Sequence, residues 1–129
     1  MQVSSYHHLR RERPHLVGAR DFEAFLRYKL DPQRPYQYHI DTSIDLQTDY
    51  LIDLHGNRLV DFIGRFERLE DDFREICRRI AIPQPELAHK RQATDRKDYR
   101  SYYTPDTAAL VAEHFRPDID RLNYRFDPQ

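Results

Sequence analysis

The chain has 129 residues, of which 39% are hydrophobic and 33% are charged, and its 21 Lys and Arg residues almost balance its 22 Asp and Glu residues. A net charge of −1 excludes a global field that would attract nucleic acid or an anionic membrane surface. The length is enough for one modest hydrophobic core, so we expect residues 1–129 to form a single domain.

The first helix is predicted from Asp21 to Leu30, in the stretch DFEAFLRYKL. Its apolar residues recur at helical spacing and share one face, and the Asp31-Pro32 pair that follows ends the pattern. The residues of this apolar face are Phe22, Phe25, Leu26 and Leu30.

A long polar loop and two short apolar runs follow this helix. The loop from Pro32 to Gln47 holds several turn-forming residues and no sustained period, which is typical of an ordered loop or a crossover connection. The apolar runs lie on either side of a His55-Gly56-Asn57 turn, and the second extends from Leu59 to Phe66. They fit two strands, or an extended arm followed by one central strand.

The next helix is predicted in the stretch ERLEDDFREICRRIAIP. Acidic residues fill its first turn, and Arg78 and Arg79 lie in its last turn, an order that complements the helix dipole. Its apolar residues recur every three or four positions, as in an amphipathic helix. They are Leu69, Phe73, Ile76 and Ile80.

The remaining chain is predicted to be a loop followed by a capped helix. The segment between Pro83 and Tyr103 is polar, basic and without periodicity. Thr104-Pro105-Asp106 supplies an N-cap, a proline at the first helical position and a first-turn acid, so a helix should run from there to about Arg116. Beyond Pro117 we expect the chain to return to the core through Ile119, Leu122, Tyr124 and Phe126.

Several kinds of site are excluded by what the sequence lacks. The single Cys77 cannot form an intramolecular disulfide, and its place in a helical pattern indicates a buried thiol. Only three glycines are present, so a phosphate-cradling glycine-rich loop is absent. No window has the apolar length of a membrane span and the first residues lack the apolar region of a signal peptide, so we expect a soluble, cytoplasmic chain.

The histidines and the aspartates offer weak metal signals. His7 and His8 are adjacent, so on a helix they point about 100° apart and cannot chelate one ion as an i, i+4 pair would. An aspartate recurs at every fourth position from Asp41 to Asp53, but the glycine and the terminal glutamate of a calcium loop are missing. We therefore expect no metal, with these acids solvated or serving as caps.

Three features leave a functional and a structural interpretation open. His39, beside two tyrosines in the long loop, is either a general base near a hydroxyl substrate or a surface histidine. The basic loop from His89 to Arg100 either binds a phosphate or sulfate group or is simply solvated. Glu67 lies between an apolar run and a helix, so it either contacts a ligand or anchors the helix start through Arg65.

The stretch LVDFIGRFERLEDDFREI resembles a late segment of the PAPS-dependent sulfotransferases of the carbohydrate and bacterial type, in which an apolar strand ends in Gly-Arg-Phe-Glu before an acidic helix start. Gln47-Thr48-Asp49-Tyr50-Leu51 is similar to the Gln-x-x-Tyr-Leu element that precedes that strand, although Ser43 stands where many relatives have a histidine. The cluster from Tyr99 to Tyr103 is similar to the C-terminal tail of that family.

The opening stretch is similar to the end of the 3′-phosphate-binding motif of this family, Arg-x-Pro-x-x-Arg-x-x-Ser-x-Tyr. Val3-Ser4-Ser5-Tyr6 fits its last part, with Ser4 at the phosphate-binding serine. In that register the rest of the motif and the loop that holds the 5′-phosphosulfate would precede Met1. The resemblance thus implies the C-terminal portion of a P-loop-type α/β sulfotransferase fold, here mainly helices with one or two short strands, and inactive alone.

The resemblance also implies a function. The complete enzyme would transfer a sulfuryl group from its co-substrate PAPS to the hydroxyl of a glycan or another alcohol, without a metal. Ser4, Lys90 and Arg91 would contact the cofactor, and His39 would be the catalytic residue on the acceptor side. Self-association or a complementing N-terminal polypeptide would cover the apolar surface that the predicted strand from Leu59 to Phe66 exposes where its neighbouring strands are missing. The alternative is a non-catalytic helical module that binds a partner through its apolar faces.

Overall fold

The computed structural model describes residues 2–17, 21–87 and 97–126. Within these residues every regular element of secondary structure is a helix. The α-helices are α1 (Gln2–Glu12), α2 (Pro14–Val17), α3 (Phe22–Lys29), α4 (Tyr38–Asp41), α5 (Leu69–Arg79), α6 (Pro105–His114) and α7 (Arg116–Leu122). Short 3-10 helices cover Gln47–Tyr50, Phe66–Arg68 and Tyr99–Tyr102.

The chain divides into two compact units. One combines Met1–Tyr50 with Arg96–Gln129, and the other is Leu51–Asp95. The first unit has a core built by α1, α3 and α4, against which partly buried side chains of the Tyr99–Tyr103 segment and α6 pack. The buried residues of this core are Val3, Tyr6, Leu9, Phe22, Phe25, Leu26 and Ile40.

The predicted helix over Asp21 to Leu30 is confirmed as α3. The Asp21 side chain accepts a hydrogen bond from the Ala24 backbone N–H at 2.9 Å, which satisfies one of the free donors at the helix start. Phe25 and Leu26 are completely buried, because the periodicity read from the sequence places them on the core-facing side. The helix ends at Lys29, before the Asp31-Pro32 pair.

The two later helices also begin where the sequence predicts. Helix α5 begins at Leu69 with its acids in the first turn. Helix α6 begins at Pro105 with a reciprocal capping box, in which Thr104 and Thr107 each accept from the backbone N–H of the other. The predicted return to the core beyond Pro117 holds for Leu122, which is buried in α7, whereas Tyr124 and Phe126 remain about one third to one half exposed at 36% and 46%.

The predicted α/β fold is wrong, because the described residues contain no strand. Around the His55-Gly56-Asn57 turn a single antiparallel bridge joins Ile52 and Arg58. The Leu59 backbone N–H also donates to the Leu51 carbonyl oxygen at 2.9 Å, but Val60 to Phe66 form no further ladder with described residues. The Arg65 backbone N–H donates to the Asp72 side chain of α5 at 2.7 Å instead. A strand needs hydrogen-bonded neighbours, and an apolar pattern alone does not provide them.

Candidate functional site

Helix α1 carries the stretch that resembles a phosphate-binding motif. Gln2, Val3, Tyr6 and Leu9 are buried at the three- and four-residue spacing of one helix face. Ser4 is exposed and Ser5 is half-buried, so their hydroxyls lie at the edge of the core and not inside it. This helix was not predicted, because its apolar residues are few and its buried face includes the polar Gln2.

A completely buried lysine lies next to this stretch. Lys29 is the last residue of α3, and it falls three and four positions after Leu26 and Phe25 on the same apolar face. Its ammonium donates to the side-chain oxygen of Gln2 at 2.5 Å and to the Ser5 hydroxyl at 3.4 Å. These partners are both neutral, so no carboxylate among the described residues neutralises the ammonium directly.

The environment of Lys29 disfavours its charged form. Burial lowers the pKa of Lys29 to about 7, and the nearby Arg34 guanidinium lowers it as well. Arg34 is itself only 4% exposed along its side chain, pairs with Asp41, and donates from Nε to the Lys29 carbonyl at 2.8 Å. Two cations and one carboxylate therefore share this part of the core, which leaves a net positive charge when Lys29 is protonated.

The long loop that the resemblance places on the acceptor side lies against α1. Ile40 of α4 is part of the core, and the Gln2 side-chain amide donates to the Ser43 carbonyl at 3.3 Å. His39 is exposed, and its ring contacts that of Tyr38, with centroids 5.5 Å apart. Within the described part of the chain it forms no hydrogen bond with Ser4 or Lys29, so the structure does not join it to the phosphate-motif stretch.

The far end of this loop is anchored by α6 and α7. The buried Asp118 carboxylate accepts from the backbone N–H groups of Gln47 and Thr48 at 2.9 and 2.8 Å. The His114 Nε2 lies 2.9 Å from the Ile44 carbonyl oxygen. These contacts fix the Gln47–Tyr50 turn, which belongs to the Gln-x-x-Tyr-Leu element, onto the first unit.

The tyrosine cluster from Tyr99 to Tyr103 packs on α1 and α3. Tyr102 lies 2.9 Å from the His7 Nε2 through its hydroxyl oxygen, and its ring stands edge-on to His7 and to Phe22. Tyr103 packs on Phe22 with ring centroids 5.0 Å apart, and burial raises the pKa of its hydroxyl to about 12. Two segments that carry the resemblance, the long loop and this cluster, therefore contact α1, which itself contains the third segment, Val3–Tyr6.

Of the residues predicted to contact a ligand, only some lie at this site or among the described residues. Ser4 lies on α1, within the same turn as Ser5. Lys90 and Arg91 lie outside the described residues, in the gap between residues 87 and 97. Glu67 is exposed in the Phe66–Arg68 turn of the second unit.

Three of the four regularly spaced aspartates have separate structural roles. Asp41 pairs with Arg34, Asp45 accepts from the Tyr50 hydroxyl at 3.0 Å, and Asp53 accepts from two backbone N–H groups of its own turn. Hydrogen bonds from Asn57 hold the pKa of the Asp53 carboxyl below its ordinary value. No three His, Cys, Asp or Glu side chains of the described ranges gather where a metal ion could bind.

The sequence did not identify Lys29 as part of a site. The signal that could have found it is its position, because a lysine on the apolar face of an amphipathic helix must either be buried or disrupt the packing of that face. Gln2 gave no comparable signal, since only the folded chain brings it to Lys29.

Comparison of the chain with protein-family models, with curated protein sequences and with solved structures found no match. The resemblance to sulfotransferases therefore gains no support from these comparisons and stays a prediction. In the described ranges, no helix has both the length and the apolar character that crossing a membrane requires.

Proposed function

We propose that this chain binds the 3′-phosphate of PAPS beside the start of α1 and contributes that part of a sulfotransferase site. The observation that supports the proposal is the buried Lys29 ammonium, which contacts the Ser5 hydroxyl within the stretch that resembles the phosphate-binding motif. A bound phosphate would supply the negative charge that no described carboxylate contributes directly to the Lys29 ammonium.

The side chains at the start of α1, together with Lys29, are chemically suited to binding a phosphate. Because the Lys29 ammonium donates to the Ser5 oxygen, the Ser5 hydroxyl hydrogen remains available to a phosphate oxygen. Ser4 is exposed in the same turn, and the positive end of the helix dipole at a helix start also favours anions. Lys29 thus acts through Ser5, raising the positive potential at a hydroxyl that solvent can reach.

The remaining roles follow the resemblance. Lys90 and Arg91 would supply further cations to the nucleotide, because charge-assisted hydrogen bonds to phosphate are the strong ones. In the transfer step the acceptor oxygen forms a bond to sulfur while the bond between sulfur and the 5′-phosphate oxygen breaks. His39 would take the acceptor proton as general base.

A second candidate function is a non-catalytic helical module that binds a protein partner. The observation in its favour is the second unit, where Cys77 alone is buried among the apolar side chains of residues 51–87. Exposed apolar surface of this kind marks interaction sites. This function needs no nucleotide.

Calorimetric titration with adenosine 3′,5′-bisphosphate separates the two functions. The sulfotransferase proposal requires binding to the wild-type chain and weaker binding to Lys90→Ala and Arg91→Ala. Arg116→Ala is the matched control, because it removes an exposed arginine from the start of α7 and should leave binding unchanged. No heat of binding at millimolar nucleotide would reject the proposal and favour the module.

A further inference from the structure

The apolar face of α5 is solvent-exposed in the second unit. Leu69, Ile76 and Ile80 are 49%, 36% and 60% exposed, and Phe73 between them is half-buried. These four residues, here called the α5 stripe, are spaced by four, three and four positions, which is the spacing of a helix that packs along a second helix.

The described residues of the unit that carries the stripe cover it only in part. Buried side chains within residues 51–87 are limited to Asp72 and Cys77. At the two ends of the stripe, Phe66 and Ile82 are also exposed, at 82% and 48%. Exposed apolar residues that lie singly are ordinary, but a continuous row along one helix is typical of an interface.

The charges of α5 are suited to an antiparallel copy of the same helix. Its first turn holds Glu70, Asp71 and Asp72, and its last turn holds Arg78 and Arg79. Two antiparallel copies bring the acidic end of each helix to the basic end of the other, whereas two parallel copies bring like charges together. The helix dipoles favour the same arrangement.

The stripe is also self-complementary in size and position. In the antiparallel register Phe73 of one copy lies level with Ile76 of the second copy, and Leu69 lies level with Ile80 of the second copy, so every layer is apolar. The same register brings the exposed Phe66 of one copy toward the exposed Ile82 of the other. Two-fold symmetry requires a surface that complements itself, and this one does.

We propose that α5 is a dimerisation helix, whose stripe packs antiparallel on the stripe of a second copy of this chain. The proposal does not depend on the nucleotide site, because no residue of the stripe is assigned to that site. A contact of little more than three helical turns is short, so the dimer forms reversibly and its population rises with protein concentration.

Sedimentation velocity from micromolar to millimolar protein tests this pairing. Wild-type protein should shift from monomer to dimer, and Ile76→Glu should weaken association by about thirtyfold or more, because it places a charge at the centre of the contact. Leu54→Glu is the matched control, since Leu54 is fully exposed in the same unit but lies outside the stripe. Far-UV circular dichroism should show that both variants keep the wild-type helix content.

A second pair of variants tests the antiparallel arrangement. Arg79 lies on the flank of the stripe, whereas Arg78 lies on the opposite side of the helix, and both pair with Glu75 within the chain. Arg79→Glu should therefore weaken the dimer by about tenfold, and Arg78→Glu should weaken it much less. A wild-type chain that stays monomeric at millimolar concentration overturns the proposal, as does a dimer that Ile76→Glu leaves intact. Equal effects of the two arginine variants overturn the antiparallel arrangement.

Discussion

The ammonium of Lys29 lies 2.5 Å from the side-chain oxygen of Gln2, and this hydrogen bond joins the end of α3 to the start of α1. A lysine in this position contributes its hydrocarbon stem to the core and brings its charged group next to the Ser5 hydroxyl. The same residue therefore links the packing of the first unit to the site proposed for an anion.

The first prediction concerns pH. The pKa of Lys29 is lowered from 10.5 to about 7 in the folded chain, so between these values the unfolded chain binds more protons than the folded one. Stability must then rise with pH in this window, and the penalty for burying the charge is fully present below pH 7. Urea unfolding should give a free energy of unfolding about 2 kcal/mol larger at about pH 9.5 than at about pH 7.5.

The control for this prediction is Lys29→Met, which keeps a long unbranched side chain, one atom shorter, and removes the titrating group. Its free energy of unfolding should change little over the same window. The window ends below the ordinary tyrosine pKa of 10.0, above which ionisation of Tyr103 in the unfolded chain lowers stability, because burial raises the pKa of Tyr103 to about 12 in the folded chain. Equal pH dependence in the two proteins would show that Lys29 is not the group responsible.

The second prediction concerns Asp118, whose carboxylate holds the backbone of the Gln47–Tyr50 turn. Asp118→Asn leaves one acceptor oxygen where two N–H groups need partners, so the free energy of unfolding should fall by about 1 to 3 kcal/mol. Asp120→Asn, an exposed substitution on the same helix, should change it by less than about 0.5 kcal/mol. Chemical denaturation of both variants measures the difference, and equal effects would mean that the Asp118 hydrogen bonds contribute nothing.

The third prediction concerns the start of α6. Thr104→Ala removes the side-chain oxygen that accepts from the Thr107 N–H, so it should cost about 1 kcal/mol of stability. Thr42→Ala removes an exposed threonine whose hydroxyl only bonds back to a carbonyl of its own turn, and it should cost much less. Thermal unfolding of the two variants checks the ranking, and a Thr42 effect as large as that of Thr104 would contradict the capping box.

The fourth prediction concerns Cys77, which is a buried free thiol in α5, as the sequence predicts. A buried thiol is shielded from reagents, so Ellman's reagent should modify the native protein slowly and the urea-unfolded protein at once. Rapid modification of the native protein would mean that α5 does not shield this residue.

Local signals explain what the sequence predicted correctly. Helices α3, α5 and α6 each combine a 3.6-residue apolar period with a capping residue or a complementary charge order, and these signals act within a few residues. The prediction of a strand from Leu59 to Phe66 was wrong, because strand pairing depends on a distant partner that no local pattern specifies. The apolar face of α5 was recognised from the sequence, but its exposure was not, since periodicity does not show what lies opposite.

The candidate site was less predictable than the fold. Ser4 and His39 were selected through a resemblance, and the structure places them on α1 and α4 without a hydrogen bond between them. The buried contacts of Lys29 with Gln2 and Ser5 join residues more than twenty positions apart. Such contacts follow from tertiary packing, so sequence reasoning could at most have noted a lysine on an apolar face.

We expect the start of α1, supported by Lys29, to bind a 3′-phosphate. The most direct test follows the backbone amide NMR signals of the full chain during titration with adenosine 3′,5′-bisphosphate and, separately, with adenosine 5′-monophosphate, which lacks the 3′-phosphate. The signals of Ser4 and Ser5 should shift far more with the bisphosphate than with the monophosphate. Ser4→Ala should weaken these shifts, and Ser101→Ala, an exposed serine outside α1, should not. Unchanged α1 signals at saturating bisphosphate, or equal shifts with both nucleotides, would contradict this expectation.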